Sequence, residues 1–553
     1  MDKLSGAQLL VKCLEAQAVE YIFGIPGAKI DALYNALLDS KIKIIVCRHE
    51  QNAAFIAAAY GRLTGKPGVV LVTSGPGVGN LVTGLLTATT EGDPVVAIAG
   101  QVPRAMRGMQ SHQAVNNVKL MEAVTKSSVE ATLADQIPEI IENAFRIAKM
   151  PSSGASFISL PQDLLNELTQ SIPIPFRAPP IYGSAPAFLL QQAAITINHA
   201  KQPLILLGLE ASRPENAQAI SDILQHTPLP VINTYQAAGV IHHEAFACFI
   251  GRVGLFKNQP GDRILDMADV VITIGFNPVE YDSEIWNAEN KKTIIHINYT
   301  PCQIHNTYHP DCELLGDIAL TIHSLTKYLK PYEQLYDHNS KKIQQMNKML
   351  VDKIATGQHY TGTPIHPLRF MHELHKVVDD NTTICCDIGS VYMWMARYFF
   401  SYRPHQLLFS NGQQTLGVGL PWAIACNYAR PGKPVISISG DGGFLFSAME
   451  LETAVREGLH FIHFIWRDGS YNMVLEQEMM KYQRKSGVDL GRVIIPDFAK
   501  AFGAIGFELN DPNQFKTIFN QAICSDKPVL IDVPIDYSDN MELFKITNPH
   551  DGH

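Results

Sequence analysis

The chain has 553 residues, which at roughly 100–200 residues per domain leaves room for three or four domains that each bury a core and excludes a disulfide-stapled miniprotein. Apolar residues make up 46% and charged residues 18%, the balance of a folded protein rather than a disordered one. Against 44 basic residues stand 53 acidic ones, a net charge of −9, so nucleic acid and membrane surfaces are not expected partners.

The N-terminus carries Asp2 and Glu15 and no basic stretch leading into an apolar run, so neither a signal peptide nor a transit peptide is expected. Apolar runs such as 69–72 and 204–207 fall far short of the roughly 18 residues that cross a bilayer. Nine cysteines are scattered without C-x-x-C spacing, which predicts reduced, mostly buried thiols and a cytoplasmic protein.

From residue 1 to 170, β-rich apolar runs at 43–47, 68–73, 94–99 and 155–160 alternate with helix-length segments. Runs without polar alternation require a parallel sheet covered on both faces, so this third reads as a doubly wound α/β unit. In Val46-Cys-Arg-His-Glu-Gln-Asn-Ala-Ala-Phe-Ile-Ala-Ala-Ala-Tyr60 a strand delivers Glu50 just before an Ala-rich helix. Such an acid is often a surface residue favoured by the helix dipole; among small apolar neighbours it would instead be a desolvated general acid with its proton available for exchange. Ser74-Gly-Pro-Gly-Val-Gly-Asn80 ends in Asn80 where a dinucleotide fingerprint needs glycine, and Gly65-Lys66-Pro67 does not continue into a Walker Ser/Thr.

Residues 171–187 carry five prolines and are expected to form an extended linker. A second alternation, with strands at 203–208, 230–234, 270–275 and 293–298, predicts a central α/β domain over 188–335, and a second linker is placed at 336–366. His372-Glu-Leu-His375 misses the H-E-x-x-H spacing of a zincin, and Gly432-Lys433-Pro434 is no Walker motif. The third unit, 367–553, shows runs at 382–386, 406–409, 434–439, 460–465 and 528–533. Three doubly wound parallel-sheet α/β domains are therefore predicted.

Ligands bind beyond the carboxyl ends of parallel strands, so Gly440-Asp441-Gly442-Gly443, between a strand and a helix, is informative. By itself a Gly-Asp-Gly is more often a plain turn. With 25 residues between Gly442 and Asp468, however, one strand–helix–strand crossover sets both aspartates on one sheet edge. Two hard oxygen ligands beside a glycine cradle suit Mg²⁺ bridging a diphosphate.

Together these elements resemble the thiamine-diphosphate decarboxylase superfamily nearly end to end. More narrowly, Phe23-Gly-Ile-Pro-Gly-Ala-Lys-Ile-Asp31, Glu91-Gly-Asp-Pro-Val95, Leu160-Pro-Gln-Asp163, Tyr235-Gln-Ala-Ala-Gly239, Ser410-Asn-Gly-Gln-Gln-Thr415 and Lys481-Tyr-Gln-Arg484 resemble the catabolic, FAD-independent acetolactate synthases. The resemblance implies pyrimidine-binding, central Rossmann-like and diphosphate-binding domains. It implies the joining of two pyruvates to 2-acetolactate and CO₂ through a thiamine-diphosphate carbanion/enamine, in a fermentative acetoin/butanediol-type pathway. It further implies a homodimer as the minimum active unit and a homotetramer as the assembly. The alternatives are another thiamine-diphosphate-dependent 2-keto-acid decarboxylase or oxidase, a non-catalytic cofactor-binding protein, and a nucleotide-dependent dehydrogenase that lacks its glycine fingerprint.

Residue by residue, Glu50 matches the glutamate at the aminopyrimidine ring, and Asp441, Asp468 and the carbonyl of Ser470 match the Mg²⁺ ligands. Gly442 and Gly443 fall at the diphosphate; Gln414, Leu416 as an apolar wedge, and Met473 surround the rings. Asp387, Gly389, Ser390 and Gln413 are further cofactor contacts by the same likeness, and His112 and Gln113 reach toward substrate. FAD is not expected, because Gly275-Phe-Asn-Pro-Val-Glu-Tyr-Asp282 stands where FAD-containing relatives carry Arg-Phe-Asp-Asp-Arg. One departure is Gly469-Ser470 in place of Asn-Gly, from which a strained Ser470 is expected.

Overall fold

In the computed structural model of the protein, residues 3–178, 180–331 and 337–544 are described. The apolar runs become three six-stranded, wholly parallel sheets, as their unbroken hydrophobicity requires. The first contains β1 (Tyr21–Gly24), β2 (Lys43–Val46), β3 (Gly68–Val72), β4 (Val95–Gln101), β5 (Ser127–Glu130) and β6 (Ala155–Pro161), in the spatial order β2-β1-β3-β4-β6-β5.

The middle sheet comprises β7 (Pro203–Leu207), β8 (Val231–Asn233), β9 (Phe249–Arg252), β10 (Val270–Ile274), β11 (Thr293–Asn298) and β12 (Cys312–Leu315). Its order, β9-β8-β7-β10-β11-β12, is that of a Rossmann sheet with its switch point between β7 and β10. The third sheet holds β13 (Thr383–Cys386), β14 (Leu407–Leu408), β15 (Val435–Gly440), β16 (Ile462–Arg467), β17 (Ile505–Glu508) and β18 (Val529–Pro534). Ordered β14-β13-β15-β16-β18-β17, it repeats the topology of the first sheet.

Residues 171–178 and 180–186 carry no helix or strand. The stretch 336–366 differs from the expected linker: it contains a helix, Asp337–Ala355. Its Leu350 and Ile354, four apart and so on one helix face, are buried in the middle core, which compensates for the polar composition of the rest. Residue 336 and the tail 545–553, counted within the predicted second linker and third unit, lie outside the described residues.

The first and third domains share one core. Helix α1 (Glu50–Thr64) packs on a helix of the third domain at 419–429, and its Ala53, Ala54, Ala57, Ala58 and Ala59 are all buried in the shared core. Glu91 ties all three domains: its carboxylate accepts hydrogen bonds from Gln236 Nε2 (2.6 Å), Ser410 Oγ (3.1 Å) and the Gly412 N–H (2.7 Å).

Candidate active site

Gly440, the last residue of β15, lies opposite Trp466 of neighbouring β16, so Asp441 and Asp468 both emerge at the carboxyl edge of the third sheet. Asp441 accepts the Gly442 N–H (3.0 Å) and the Gly469 N–H (2.9 Å). Burial and the neighbouring Asp468 charge push its pKa up to about 6. Burial also raises Asp468, whose Oδ2 accepts the Ser470 hydroxyl (2.5 Å) and Asn472 Nδ2 (3.0 Å). No described lysine or arginine forms an ion pair with either acid; the ion pairs of nearby Arg467 run to Asp532 and Glu508 instead. Two acids at one sheet edge with no cationic side chain paired to them could serve as donors to a hard divalent metal.

The strain expected at Ser470 is absent. The left-handed residue of this loop is Gly469, at φ +76°, and Ser470 is not among the non-glycine residues of positive φ. The glycine stands one position earlier than in the family pattern and absorbs the turn. Hydrogen bonds from Tyr471 N–H to Val488 O (2.8 Å) and Leu490 N–H to Gly469 O (2.8 Å) then fix the loop.

A cavity of about 290 Å³ opens over this edge. Of the residues singled out from the sequence, Gly389, Ser390, Gln414, Leu416, Asp441, Gly442, Gly443, Asp468, Ser470 and Met473 line it. A Cβ on Gly442 would stand 2.7 Å from the Tyr471 ring, so only glycine fits there. Asp387 and Gln413 do not line it. Gln413 is exposed. Asp387 is buried beneath, where its carboxylate accepts the Ile388, Gly417 and Gly419 N–H groups (2.8, 2.9 and 3.3 Å) and burial pushes its pKa up to about 6. It braces the loop that carries Leu416. Asp387→Ala would orphan three amides and is expected to cost about 3 kcal/mol, read as a lowered thermal midpoint of the cofactor-free protein.

The cavity also draws on Tyr471, Asn472, Gln477 and Tyr537, which the sequence reading did not single out. All follow the carboxyl ends of β16 or β18, and that position was the one signal available.

The first domain holds its own cluster. Glu50 opens α1 directly beyond β2 and is buried, not a surface acid. Asn80 Nδ2 donates to its Oε2 (2.9 Å), and a Cβ on Gly77 would lie 3.5 Å from its Oε1. Gln113, at φ +62°, accepts the Ser74 hydroxyl (3.4 Å) at the same sheet edge; His112 beside it is exposed. The helix start is capped from the third domain: Glu450 Oε1 accepts the Arg48 N–H (2.9 Å), the His49 N–H (3.1 Å) and Asn52 Nδ2 (3.1 Å). No residue of this cluster lines the Asp441 cavity. The chain carries two separate clusters.

Models of the thiamine pyrophosphate enzymes match at all three domains: the N-terminal TPP binding domain over residues 4–121, the central domain over 190–325 and the C-terminal TPP binding domain over 387–533. The chain is 48% identical over 541 residues to the acetolactate synthase of Bacillus subtilis (strain 168), covering 98% of this chain and 95% of that one. The chain belongs to the acetolactate synthase family of thiamine pyrophosphate enzymes. A catabolic acetolactate synthase of Raoultella terrigena is 45% identical over 537 residues, covering 97% and 96% of the two chains. A probable acetolactate synthase large subunit of Methanococcus aeolicus is 32% identical over 574 residues, covering 99% of this chain and 95% of that one.

Within this acetolactate synthase family member the chain itself occupies part of the switch point of the Rossmann-like middle sheet. At the switch point the Glu280 carboxylate accepts the Leu209 N–H (2.9 Å), the Asn277 N–H (2.9 Å) and the Thr234 hydroxyl (2.6 Å). These are donors of the kind a dinucleotide phosphate would take. Glu280 is buried, which pushes its pKa up to about 8 against the pull of those donors. A Cβ on Gly208 would meet Phe276 Cα at 2.3 Å and Glu280 Oε1 at 2.7 Å, so backbone and carboxylate fill the space.

Proposed function

We propose that the chain condenses two molecules of pyruvate to 2-acetolactate with release of CO₂, using thiamine diphosphate and Mg²⁺ and without FAD. The observation that carries this is the unpaired Asp441–Asp468 edge beside a glycine turn, in a chain that also presents a buried Glu50 at the matching edge of its first domain. When bound, thiamine diphosphate supplies a nucleophilic carbon and an electron sink that no side chain here offers.

The chain's own residues do the rest. Asp441, Asp468 and the Ser470 carbonyl would hold the cation, and Gly442 and Gly443 would let the diphosphate approach the backbone. Glu50 holds and moves one proton at its carboxyl oxygens, kept in place by Asn80 and by the Glu450 cap. Gln414 and Leu416 orient the cofactor rings, and Gln113 and His112 extend toward substrate. Met473 and Val474 lend the mouth an apolar lining.

Because Glu50 is absent from the Asp441 cavity, a second copy completes each site, and a homodimer is the minimal active unit, with a homotetramer as the assembly implied by the family. Helix 472–482 supports this: none of its side chains is buried, and Val474, Met479, Met480 and Tyr482 are exposed around it, apolar surface for a partner to cover. A cytoplasmic setting is supported by nine free thiols, Cys385 and Cys426 remaining unbonded at 3.5 Å. Among the described residues, no helix is long and apolar enough to cross a membrane.

The test is to incubate purified protein with pyruvate, Mg²⁺ and thiamine diphosphate, omitting FAD. 2-Acetolactate is the expected product. Acetaldehyde would assign a decarboxylase, and cofactor uptake without CO₂ a non-catalytic binder; a parallel incubation with FAD, phosphate and O₂ that yields acetyl phosphate would assign an oxidase. Incubation with FAD followed by desalting is expected to leave no flavin absorbance on the protein.

A further inference from the structure

The C-terminal segment reaches the diphosphate half-site from below, and its contacts have a fixed direction. Asn540 opens a short helix, Asn540–Phe544, and is fully buried. Its Oδ1 accepts the Trp394 indole N–H (2.6 Å). Its Nδ2 donates to Asn472 Oδ1 and to Ser390 Oγ (3.1 Å). Asn472 Oδ1 also accepts the Ser390 hydroxyl (2.7 Å), and Asn472 Nδ2 donates to Asp468 Oδ2 (3.0 Å). Ser390, Asn472 and Asp468 all line the cavity, whereas Trp394 and Asn540 do not.

An amide can present either end to a neighbour, so an asparagine pair is directional only if something outside it decides. Here the indole decides, because its N–H is a donor and nothing else. With Asn540 flipped, its NH₂ would face the indole N–H and its oxygen would face Asn472 Oδ1, two repulsions in a buried site. Once Asn540 is set, Asn472 must offer its NH₂ to Asp468. An ionised carboxylate is acceptor only, so the chain of donors ends correctly at both termini.

We propose that Trp394, acting through Asn540 and Asn472, fixes the orientation in which Asp468 meets the cation, which makes Asn540 a positioning residue of the half-site; this rests on the metal-diphosphate reading above. The segment is held firmly enough to do so. Arg397 donates to Leu543 O (2.8 Å), and His366 Nε2 lies 3.1 Å from Asp539 Oδ2.

Titration calorimetry of the cofactor-free dimer with Mg²⁺ in the presence of thiamine diphosphate tests the proposal. Asn540→Ala is expected to raise the Mg²⁺ dissociation constant by about 10–100-fold, the range for outer-sphere partners of a metal ligand. Cofactor affinity at saturating Mg²⁺ should then return to within about threefold of wild type. A merely structural loss would not give that split. Trp394→Phe keeps the ring and removes only the donor; it is expected to weaken Mg²⁺ by a few fold, and it carries the test alone if Asn540→Ala fails to fold. A folded Asn540→Ala or Trp394→Phe protein with wild-type Mg²⁺ affinity overturns the proposal, as does a loss of cofactor affinity that saturating Mg²⁺ does not restore. A wild-type protein that takes up neither Mg²⁺ nor cofactor overturns the half-site reading itself, and the proposal with it.

Discussion

Glu50→Gln is expected to lower kcat by about 10²–10⁴-fold, the range that a positioned acid–base group contributes, while thiamine diphosphate affinity stays within a few fold. The glutamine preserves shape and can still accept from Asn80, now 2.9 Å from Oε2, so the helix start and its Glu450 cap should survive. What it cannot do is exchange a proton with the cofactor ring. Cofactor binding followed by calorimetry, alongside turnover of pyruvate, separates the two effects. A variant that turns over at more than about a tenth of the wild-type rate would remove Glu50 from the chemistry.

Asp441→Ala is expected to abolish cofactor retention as well as activity. Loss of a direct ligand should exceed the roughly 10–100-fold that outer-sphere changes cost, and Asp468 alone would remain at the edge. The same acid gives the pH dependence. Folding raises its pKa from the ordinary 3.8 to about 6, so its ionised form opposes folding of the metal-free protein at neutral pH, and that cost is relieved as pH falls through about 6. Proton and Mg²⁺ compete for this carboxylate. Mg²⁺ affinity is therefore expected to be flat above pH 6 and to fall about tenfold per unit below it, measured by calorimetry from pH 5 to 8.

Most interior strands were legible because a parallel strand covered on both faces must be apolar throughout. Of the five strands that gave no run, β5, β9, β12 and β17 are edge strands, and the fifth, β1, is an interior strand of only four residues. Ser127–Glu130 and Ile505–Glu508 are short, partly exposed and polar at intervals, since an edge faces cover on fewer sides. The predicted linker at 336–366 conceals a helix for a related reason: over its described side chains, 345–355, only Leu350 and Ile354 are buried, so the periodicity is faint.

At the site, the Asp441 and Asp468 pairing followed from one crossover length, and the burial of Glu50 from its alanine surroundings. Asp387 and Gln413 stand apart from the other matched residues of the third domain. The match places them next to cavity residues, but the backbone turns Asp387 down onto three amides and leaves Gln413 in solvent. Asn540 and Tyr537 lie some 70 residues beyond Asp468 in the chain and reach the site only because β18 returns beside β16. No local pattern encodes that. The position of Gly469 is likewise visible only in dihedral angles.

The most direct measurement is complementation between two inactive variants. Glu50→Gln and Asp441→Ala homodimers are mixed, dissociated and allowed to reassociate at random. If each site joins Glu50 of one copy to the Asp441 edge of the other, half of the dimers are mixed, and each holds one intact site. Activity should then return to about a quarter of the wild-type specific value. If Glu50 and Asp441 of the same chain serve one site, every site in the mixture carries a lesion and no activity returns.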